Sequence, residues 1–180
     1  TQKYAFKHNT SIQMAARELR YKWFDELLAN NNLDFVITAH HKDDNIETFF
    51  INLIRGAGIN GLSAIKARNN KVIRPLLDIS KKEIECYLIQ KGIKYRDDSS
   101  NLDVKYLRNK IRHQLMPLLK EMNPNINNII TKEISILGGV NKVFQRKIEE
   151  IRDRLLVQKD NMYKLNISEL IELEHLEVVL

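Results

Sequence analysis

Apolar residues recur at helical spacing in the first part of the chain. From Ser11 to about Asn30 they lie three or four positions apart, which predicts a helix with one buried face and Ser11 as its N-cap. Arg20 falls inside this apolar arc when residues are placed about 100° apart. A guanidinium there either extends to the rim of the arc or is held by a ligand or a carboxylate. Thr1–Thr10 predicts no regular element. The apolar positions are Ile12, Ala15, Ala16, Leu19, Trp23 and Leu27.

The next apolar segment, Phe35–Ala39, is short and rich in β-branched residues, which predicts a buried strand. It ends at His40 and His41, and an apolar pattern of helical period follows Asp43 and Asp44. The order helix, strand, helix indicates a parallel sheet. Ligands of open α/β sheets bind beyond the carboxyl ends of the strands. The polar residues between this strand and the next helix are therefore candidates for a site.

Carboxylates begin this second helix. Asp44 and Glu47 are three residues apart and share a helix face. With His40 they would form a small acidic site for a metal ion, an ammonium group or a proton transfer. Acidic residues in the first turn of a helix are also stabilised by the helix dipole, and they cap free amides. This is the alternative explanation for Asp43. The spacing does not indicate a metal, because there is no H-E-x-x-H pattern.

A glycine-rich segment, Gly56–Gly61, matches G-x-G-x-x-G. In dinucleotide sites that motif follows a strand and opens a helix, whereas here it follows a helix. We therefore expect a helix C-cap and a loop close to a ligand. Arg55 falls in the last turn of the preceding helix, where a cation is favoured.

Further along, local signals define a strand and a helix. Lys71–Arg74 predicts a short strand that Pro75 ends, and Ser80 with Glu83 forms a capping box at the start of a helix that runs to Gly92.

A basic helical pattern follows. Arg108 and Arg112 are four residues apart on one face, with Lys105 nearby. Such a face is either simply solvated or able to clamp phosphates with two guanidiniums.

The last part of the chain predicts mostly helix. After Pro124, the segment from Ile126 to about Lys159 predicts one long helix or two, with Gly138-Gly139 as the break. Tyr163–Ile167 alternates like a strand, and Ser168 begins a short helix.

Composition limits the class of protein. A chain of 180 residues can bury a core and suits one domain, or one with a small appendage. The net charge of +6 is compatible with nucleic-acid binding. Cys86 is the single cysteine, which excludes a disulfide within the chain and indicates a reduced, cytoplasmic compartment. No membrane span or signal peptide is visible. The lack of an initiator Met suggests a portion of a longer protein.

Several stretches together carry a resemblance to a known family. In their order and approximate spacing, from about residue 11 to 124, they resemble bacterial tRNA(Ile)-lysidine synthetases and differ from the thiolating relatives of that family. The stretches are Ala15–Tyr21, Thr38–Thr48, Arg55–Gly58 with Gly61–Leu62, Arg74–Leu77, Asp98–Asn101 and Tyr106–Arg112.

The resemblance implies a fold and a reaction. The fold is α/β: an incomplete, Rossmann-like parallel sheet of the adenine nucleotide alpha-hydrolase type over residues 1–123. Residues 124–180 would be a mostly helical linker and the start of a C-terminal tRNA-binding domain. In the reaction, ATP with Mg²⁺ adenylates C2 of the wobble cytidine of tRNA(Ile) with anticodon CAU. Free L-lysine then displaces AMP to form lysidine.

The resemblance also implies which residues act. The matching positions divide into a catalytic set and a set for substrate or nucleotide binding, and they leave the metal ligands unknown. The catalytic set is Arg20, His40, Asp44, Glu47 and Arg112; the binding set is Asp43, Arg55, Gly56, Arg74, Arg108 and Asn109.

One family motif is not found in these residues. The phosphate loop, Ser-Gly-Gly-x-Asp-Ser, would belong upstream of Thr1, so we expect the 180 residues alone to be inactive. The alternatives are a tRNA thiolase of the same fold, for which Cys86 is a poor sulfur carrier, and a non-catalytic RNA-binding remnant. The sequence leaves open whether the protein is a homodimer.

Overall fold

A computed structural model describes residues 1–95, 107–159 and 162–171 of the chain. These described residues form two compact units, those that fall within 1–45 and 65–97 and those that fall within 46–64 and 98–180. The predicted boundary between residues 123 and 124 stays a prediction. Asp98–Asn101 and Lys105 lie outside the described residues.

The first unit contains a small mixed sheet. Strand β1 (Val36–Ile37) pairs in parallel with β3 (Val72–Ile73), as predicted from the two apolar runs. Strand β2 (Arg68–Asn69) pairs antiparallel with β3, so that the order is β1-β3-β2. The β2–β3 turn includes Asn70 at φ 51°, a backbone conformation that asparagine tolerates better than most residues. Strand β2 was not predicted.

Strand β1 is not buried, which corrects the expectation for Phe35–Ala39. The side chain of Ile37 is 70% exposed, and Phe35 is also exposed. The reason lies in the sheet order: within the described part of the chain, β1 is an edge strand with β3 as its neighbour. Instead, the Arg68 guanidinium lies over the Phe35 ring, and its Cζ is 4.9 Å from the ring centroid. This is a cation–π contact.

Two helices begin the first unit. Helix α1 (Gln2–Lys7) was not predicted. Helix α2 (Ile12–Asn30) starts as predicted, because the Ser11 hydroxyl accepts a hydrogen bond from a first-turn amide. Its buried face is narrower than the apolar pattern suggests, since Ala15 is fully buried while Trp23 is 55% exposed.

Helix α5 (Lys81–Gln90) has both predicted ends. The Ser80 amide donates to Glu83 Oε2 at 2.8 Å, and the Glu83 amide donates to Ser80 Oγ at 3.2 Å. The Ser80 hydroxyl also donates to Glu83 Oε2 at 2.5 Å, and this hydrogen bond, together with that from the Ser80 amide, holds the pKa of Glu83 below its usual value. Gly92 ends the helix at φ 64°, and the Ile93 amide closes the cap on Leu88 O at 2.9 Å.

The second unit is built around an apolar core from four helical segments. Helix α3 (Lys42–Ile54) begins in the first unit and contributes Ile46 to this core. Short α4 (Ile59–Leu62) follows α3. The remaining core residues are Ile111, Met116, Ile130 and Ile134.

A π-helical turn occupies Ile111–Leu115, between α6 (Leu107–Lys110) and α7 (Met116–Met122). The Met116 amide donates to Ile111 O, five residues back, and both side chains are buried. Five residues span about 140° beyond one turn in an α-helix, so the wider turn is what places both on one face. Pro117 has no N–H to bond to the preceding turn. The helix around Arg108 and Arg112 was predicted; its π-turn was not.

The long helix α8 runs uninterrupted from Ile126 to Leu155. The expected break at Gly138-Gly139 is absent, because packing of one apolar face outweighs a glycine penalty of about 1 kcal/mol per residue. The segment assigned to its end instead forms β4 (Leu156–Lys159), paired antiparallel with β5 (Met162–Leu165) and followed by α9 (Ile167–Ile171). No helix in the described ranges combines the length and apolar composition needed to cross a membrane.

Candidate active site

His41 and Asp44 form a reciprocal cap at the start of α3. The His41 amide donates to Asp44 Oδ2 at 3.1 Å, and the Asp44 amide donates to His41 Nδ1 at 3.3 Å. This is the geometry of a capping box with histidine in the N-cap position. The His41 ring also places Nε2 3.4 Å from Asp44 Oδ2.

Asp43 caps a different helix. Its Oδ2 accepts a hydrogen bond from the Lys81 amide at 2.8 Å and lies 3.7 Å from His41 Nδ1. The Lys42 amide donates to Ile79 O at 2.9 Å beside it. Asp43 therefore joins the start of α3 to the start of α5. This agrees with the capping explanation; a role in nucleotide binding stays a prediction.

His40 and His41 serve different partners. His40 follows β1, and its Nδ1 lies 2.9 Å from Thr38 Oγ1, whereas His41 faces the carboxylates of α3. Both rings are half-buried. The Thr38 contact fixes the orientation of the His40 ring at the carboxyl end of the strand, which is where the sequence placed a site.

The second unit holds an ion-pair cluster, which we call the Glu47 cluster: Glu47, Thr48, Arg108 and Arg112. The Glu47 side chain is only 3% exposed. Arg112 donates through Nε to Oε1 at 2.7 Å and through Nη2 to Oε2 at 3.1 Å, which is a two-pronged pairing. Arg108 Nε lies 3.4 Å from Oε2, and its Nη2 donates to Thr48 Oγ1 at 3.0 Å.

The charges of the Glu47 cluster do not cancel. One carboxylate faces two guanidiniums, so the cluster carries a net charge of +1. The carboxylate is buried, while the side chains of Arg112 and Arg108 are 26% and 43% exposed. Two guanidiniums paired with one carboxylate are held in a fixed orientation, and guanidiniums held in this way suit an anion such as phosphate. Arg112 is held there by the π-turn, a helical irregularity frequent at functional sites.

The glycine-rich segment is a helix C-cap, as predicted. Gly56 has φ 69°, its amide donates to Leu53 O at 3.0 Å, and the Ala57 amide donates to Asn52 O at 2.9 Å. This pair of bonds is a Schellman motif. At Gly61, a Cβ would collide with the Cβ of Ala57, so the chain passes too closely there for a side chain. Asn52 Nδ2 donates to Gly61 O at 2.7 Å and holds the segment from α3.

Arg74 and Arg20 differ in burial. Arg74 is 5% exposed; it donates through Nη1 to Lys66 O at 2.8 Å and through Nη2 to the Tyr21 hydroxyl at 3.1 Å. Its Nε is buried without a partner among the described residues. Arg20 is exposed on α2.

The structure therefore brings together part of each predicted set. Arg108 and Arg112 meet Glu47 in the second unit, where Asn109 is buried and Arg55 is exposed. His41, Asp43 and Asp44 meet in the first unit. Convergence of the whole catalytic set in one cleft stays a prediction.

Sequence reasoning did not assign Thr48 and Asn52. The Thr48 hydroxyl accepts a hydrogen bond from Arg108, and the Asn52 side chain donates one to Gly61 O. Thr48 lies 60 residues from Arg108, and no local pattern connects them.

No group of three or more His, Cys, Asp and Glu side chains that could hold a metal ion occurs in the described part of the chain. The residues present there do not form a metal centre of their own.

Comparison with known proteins gives consistent matches. The family model of the PP-loop domain matches residues 1–119. The tRNA(Ile)-lysidine synthase of Porphyromonas gingivalis strain W83 is 45% identical over 156 residues, 86% of this chain and 34% of that protein. Its namesakes from Bacteroides thetaiotaomicron and Geobacter sulfurreducens are 43% and 40% identical, over 87% and 78% of this chain and 37% and 30% of theirs. The chain spans about a third of the length of these relatives.

Proposed function

Because this chain belongs to the PP-loop domain family, we propose that it is part of an ATP-dependent enzyme that forms lysidine on tRNA(Ile) with anticodon CAU. Relatives named tRNA(Ile)-lysidine synthase at 40–45% identity support the proposal. In this reaction the C2 oxygen of the wobble cytidine attacks the α-phosphorus of ATP, and pyrophosphate leaves. The ε-amine of free lysine then attacks C2, and AMP leaves with the oxygen. The reaction takes place in the cytoplasm.

The observation that carries this proposal is the two-pronged contact between Glu47 and Arg112, with Arg108 beside it. Both steps place negative charge on phosphate groups: pyrophosphate leaves in the first and AMP in the second. Oriented guanidiniums stabilise such groups without reorganising during the reaction. Glu47 is assigned the role of holding the two arginines, since both of its oxygens are engaged by them.

The lysine substrate requires a negative partner and a proton acceptor. Asp44 is half-buried at the start of α3 and is assigned to bind the ammonium group of the substrate, because an ammonium group favours a carboxylate in a sheltered position. The amine must lose a proton before it attacks, and His40, oriented by Thr38, is assigned that proton. Mg²⁺ would accompany ATP, held chiefly by phosphate oxygens and water, because Mg²⁺ retains much of its hydration in proteins.

The test uses the purified full-length protein with ATP, Mg²⁺, labelled lysine and tRNA(Ile) transcript. We expect lysine to enter the tRNA with release of AMP and pyrophosphate, and no incorporation into a matched transcript in which the wobble cytidine is replaced by uridine. Adenylation without lysine incorporation, or incorporation into both transcripts, would contradict the proposal.

A thiolase is not supported by the residues described. Cys86 is exposed on α5 and is the single cysteine of the chain, and its place in a helix makes it a poor sulfur carrier. Incorporation of sulfur in place of lysine in the same assay would restore that alternative.

A further inference from the structure

Asn141 is a buried amide in an otherwise apolar stripe of α8. It follows Ile130 and Ile134 at helical spacing and is 4% exposed. Its Nδ2 donates to Asn60 Oδ1 at 3.2 Å. Its own Oδ1 is buried and has no hydrogen-bond partner among the described residues. The side chain therefore makes one hydrogen bond and leaves a second polar atom unsatisfied.

This arrangement does not favour stability. A buried polar atom without a partner costs about 1–3 kcal/mol, while one neutral hydrogen bond contributes about 1 kcal/mol. An apolar side chain of similar volume at Asn141 would bury the same surface without that penalty. We therefore look for the role of the Asn141 amide in the residue that it positions, which is Asn60.

Asn141 holds the Gly56–Gly61 segment, which we call the glycine turn. Asn60 lies in α4, inside the Gly56–Gly61 segment, and α4 packs against α8. From the other side, Asn52 on α3 donates to Gly61 O at 2.7 Å. Two amides from two helices thus fix consecutive residues of one turn. Beside the turn, a Cβ built on Gly58 would meet nothing within 4 Å.

We propose that Asn141 is a positioning residue that sets the orientation of the glycine turn for nucleotide binding. The inference rests on the proposed function and on the nucleotide-binding role that the family resemblance implies for Arg55 and Gly56. Without the Asn60–Asn141 bond, the turn keeps its helix cap at Gly56 and its packing against α8, but it loses the hydrogen bond that fixes the Asn60 side chain. ATP is then bound less tightly, and the arginines of the Glu47 cluster are unaffected.

The test compares Asn141→Leu with Asn127→Leu in the full-length protein. Asn127 is a matched control: it lies on the same helix and also has a buried Oδ1 without a partner in the described residues. We expect Asn141→Leu to raise KM for ATP about three- to tenfold, the range of one hydrogen bond, with kcat and KM for lysine unchanged. Its melting temperature should be equal to or above that of the wild type. Asn127→Leu should leave KM for ATP unchanged.

A second variant separates positioning from packing. Asn60 is exposed, so Asn60→Ala removes the same hydrogen bond without touching the core. It should raise KM for ATP as much as Asn141→Leu, and the double variant should add nothing further. An unchanged KM for ATP in Asn60→Ala, or an equal rise in Asn127→Leu, would overturn the inference. Direct ATP binding is measured alongside, so that a wild type that binds ATP but makes no lysidine refutes the proposed function and not the role of Asn141.

Discussion

Asp44 and Glu47 lie one turn apart on α3, yet their partners come from different distances along the chain. Asp44 is bound by His41, three residues away. Glu47 is bound by Arg112, 65 residues away, and its side chain is far more buried, at 3% exposure against 16%. The first contact forms with the helix itself. The second exists only when the second unit has folded around Ile46 and Ile111.

Acidic residues at a helix start can therefore have two roles, capping the helix or pairing with cations from distant parts of the chain. Caps are local, worth about 1 kcal/mol, and replaceable by any side chain with an acceptor in place. A buried carboxylate between two guanidiniums is different, because three charged groups depend on one another. Removing one partner leaves an uncompensated charge in a site with little water. Substitutions in each region should therefore differ in size and in kind.

The largest effect is expected for Arg112→Ala. The change leaves Glu47 buried without its two-pronged partner and should lower the free energy of unfolding by about 3–5 kcal/mol. Arg108→Ala is the matched control, since Arg108 is more exposed and makes one longer contact with Glu47. It should cost about 1 kcal/mol. Urea unfolding of the full-length protein measures both, and equal losses would mean that the two arginines share Glu47 evenly.

The next comparison separates the two carboxylates by reaction step. Glu47→Gln should impair adenylation and lysine transfer alike, because both depend on the arginines that it holds. Asp44→Asn should impair lysine transfer more, by about 2–5 kcal/mol, since it removes the partner of the ammonium group. Pyrophosphate release measures the first step and labelled lysine the second. If Asp44→Asn reduced both equally, its role would lie in capping α3.

A smaller effect is expected at Asp43. Asp43→Ala removes the acceptor for the Lys81 amide and should lower the free energy of unfolding by about 1 kcal/mol. Asp43→Asn keeps an acceptor oxygen and should retain most of that stability. Thermal unfolding distinguishes the two variants. A large loss of ATP binding in Asp43→Asn with unchanged stability would instead support the predicted nucleotide role.

The smallest effect is a pH dependence at Glu83. Its pKa is lowered by the Ser80 hydrogen bonds, so its contribution to stability is complete above the unfolded value, near 4.5, and is lost as the pH falls through the folded value. The melting temperature of the wild type should exceed that of Glu83→Gln at neutral pH. The gap should close as the pH falls below 4.5. A gap that widened in acid would contradict the capping box.

Local chemistry explains what the sequence could predict. The caps at Ser11, Ser80 and Gly56 each depend on a few neighbouring residues, and all were predicted. The parallel pairing of β1 with β3 followed from two apolar runs. Candidate residues of the Glu47 cluster came from resemblance to a family, since the pairing of Glu47 with Arg112 has no local signal.

What could not be predicted depends on distant parts of the chain. The exposure of Ile37 follows from the place of β1 in the sheet, and the π-turn follows from the need to bury both Ile111 and Met116. The continuity of α8 through Gly138-Gly139 shows the same principle, because core packing decides a segment whose local preference is to break.

That glycine pair also makes α8 uneven along its length. Two consecutive residues without side chains weaken the helix locally by about 1 kcal/mol each, while the preceding turns are held in the core by Ile130 and Ile134. The backbone amides near Gly138-Gly139 should therefore open more often than those near Ile130 and exchange their hydrogens with solvent sooner. Asn141 lies within one turn of this softer point. The helix thus joins a rigid half, fixed in the core, to a half that can adjust while still holding the glycine turn.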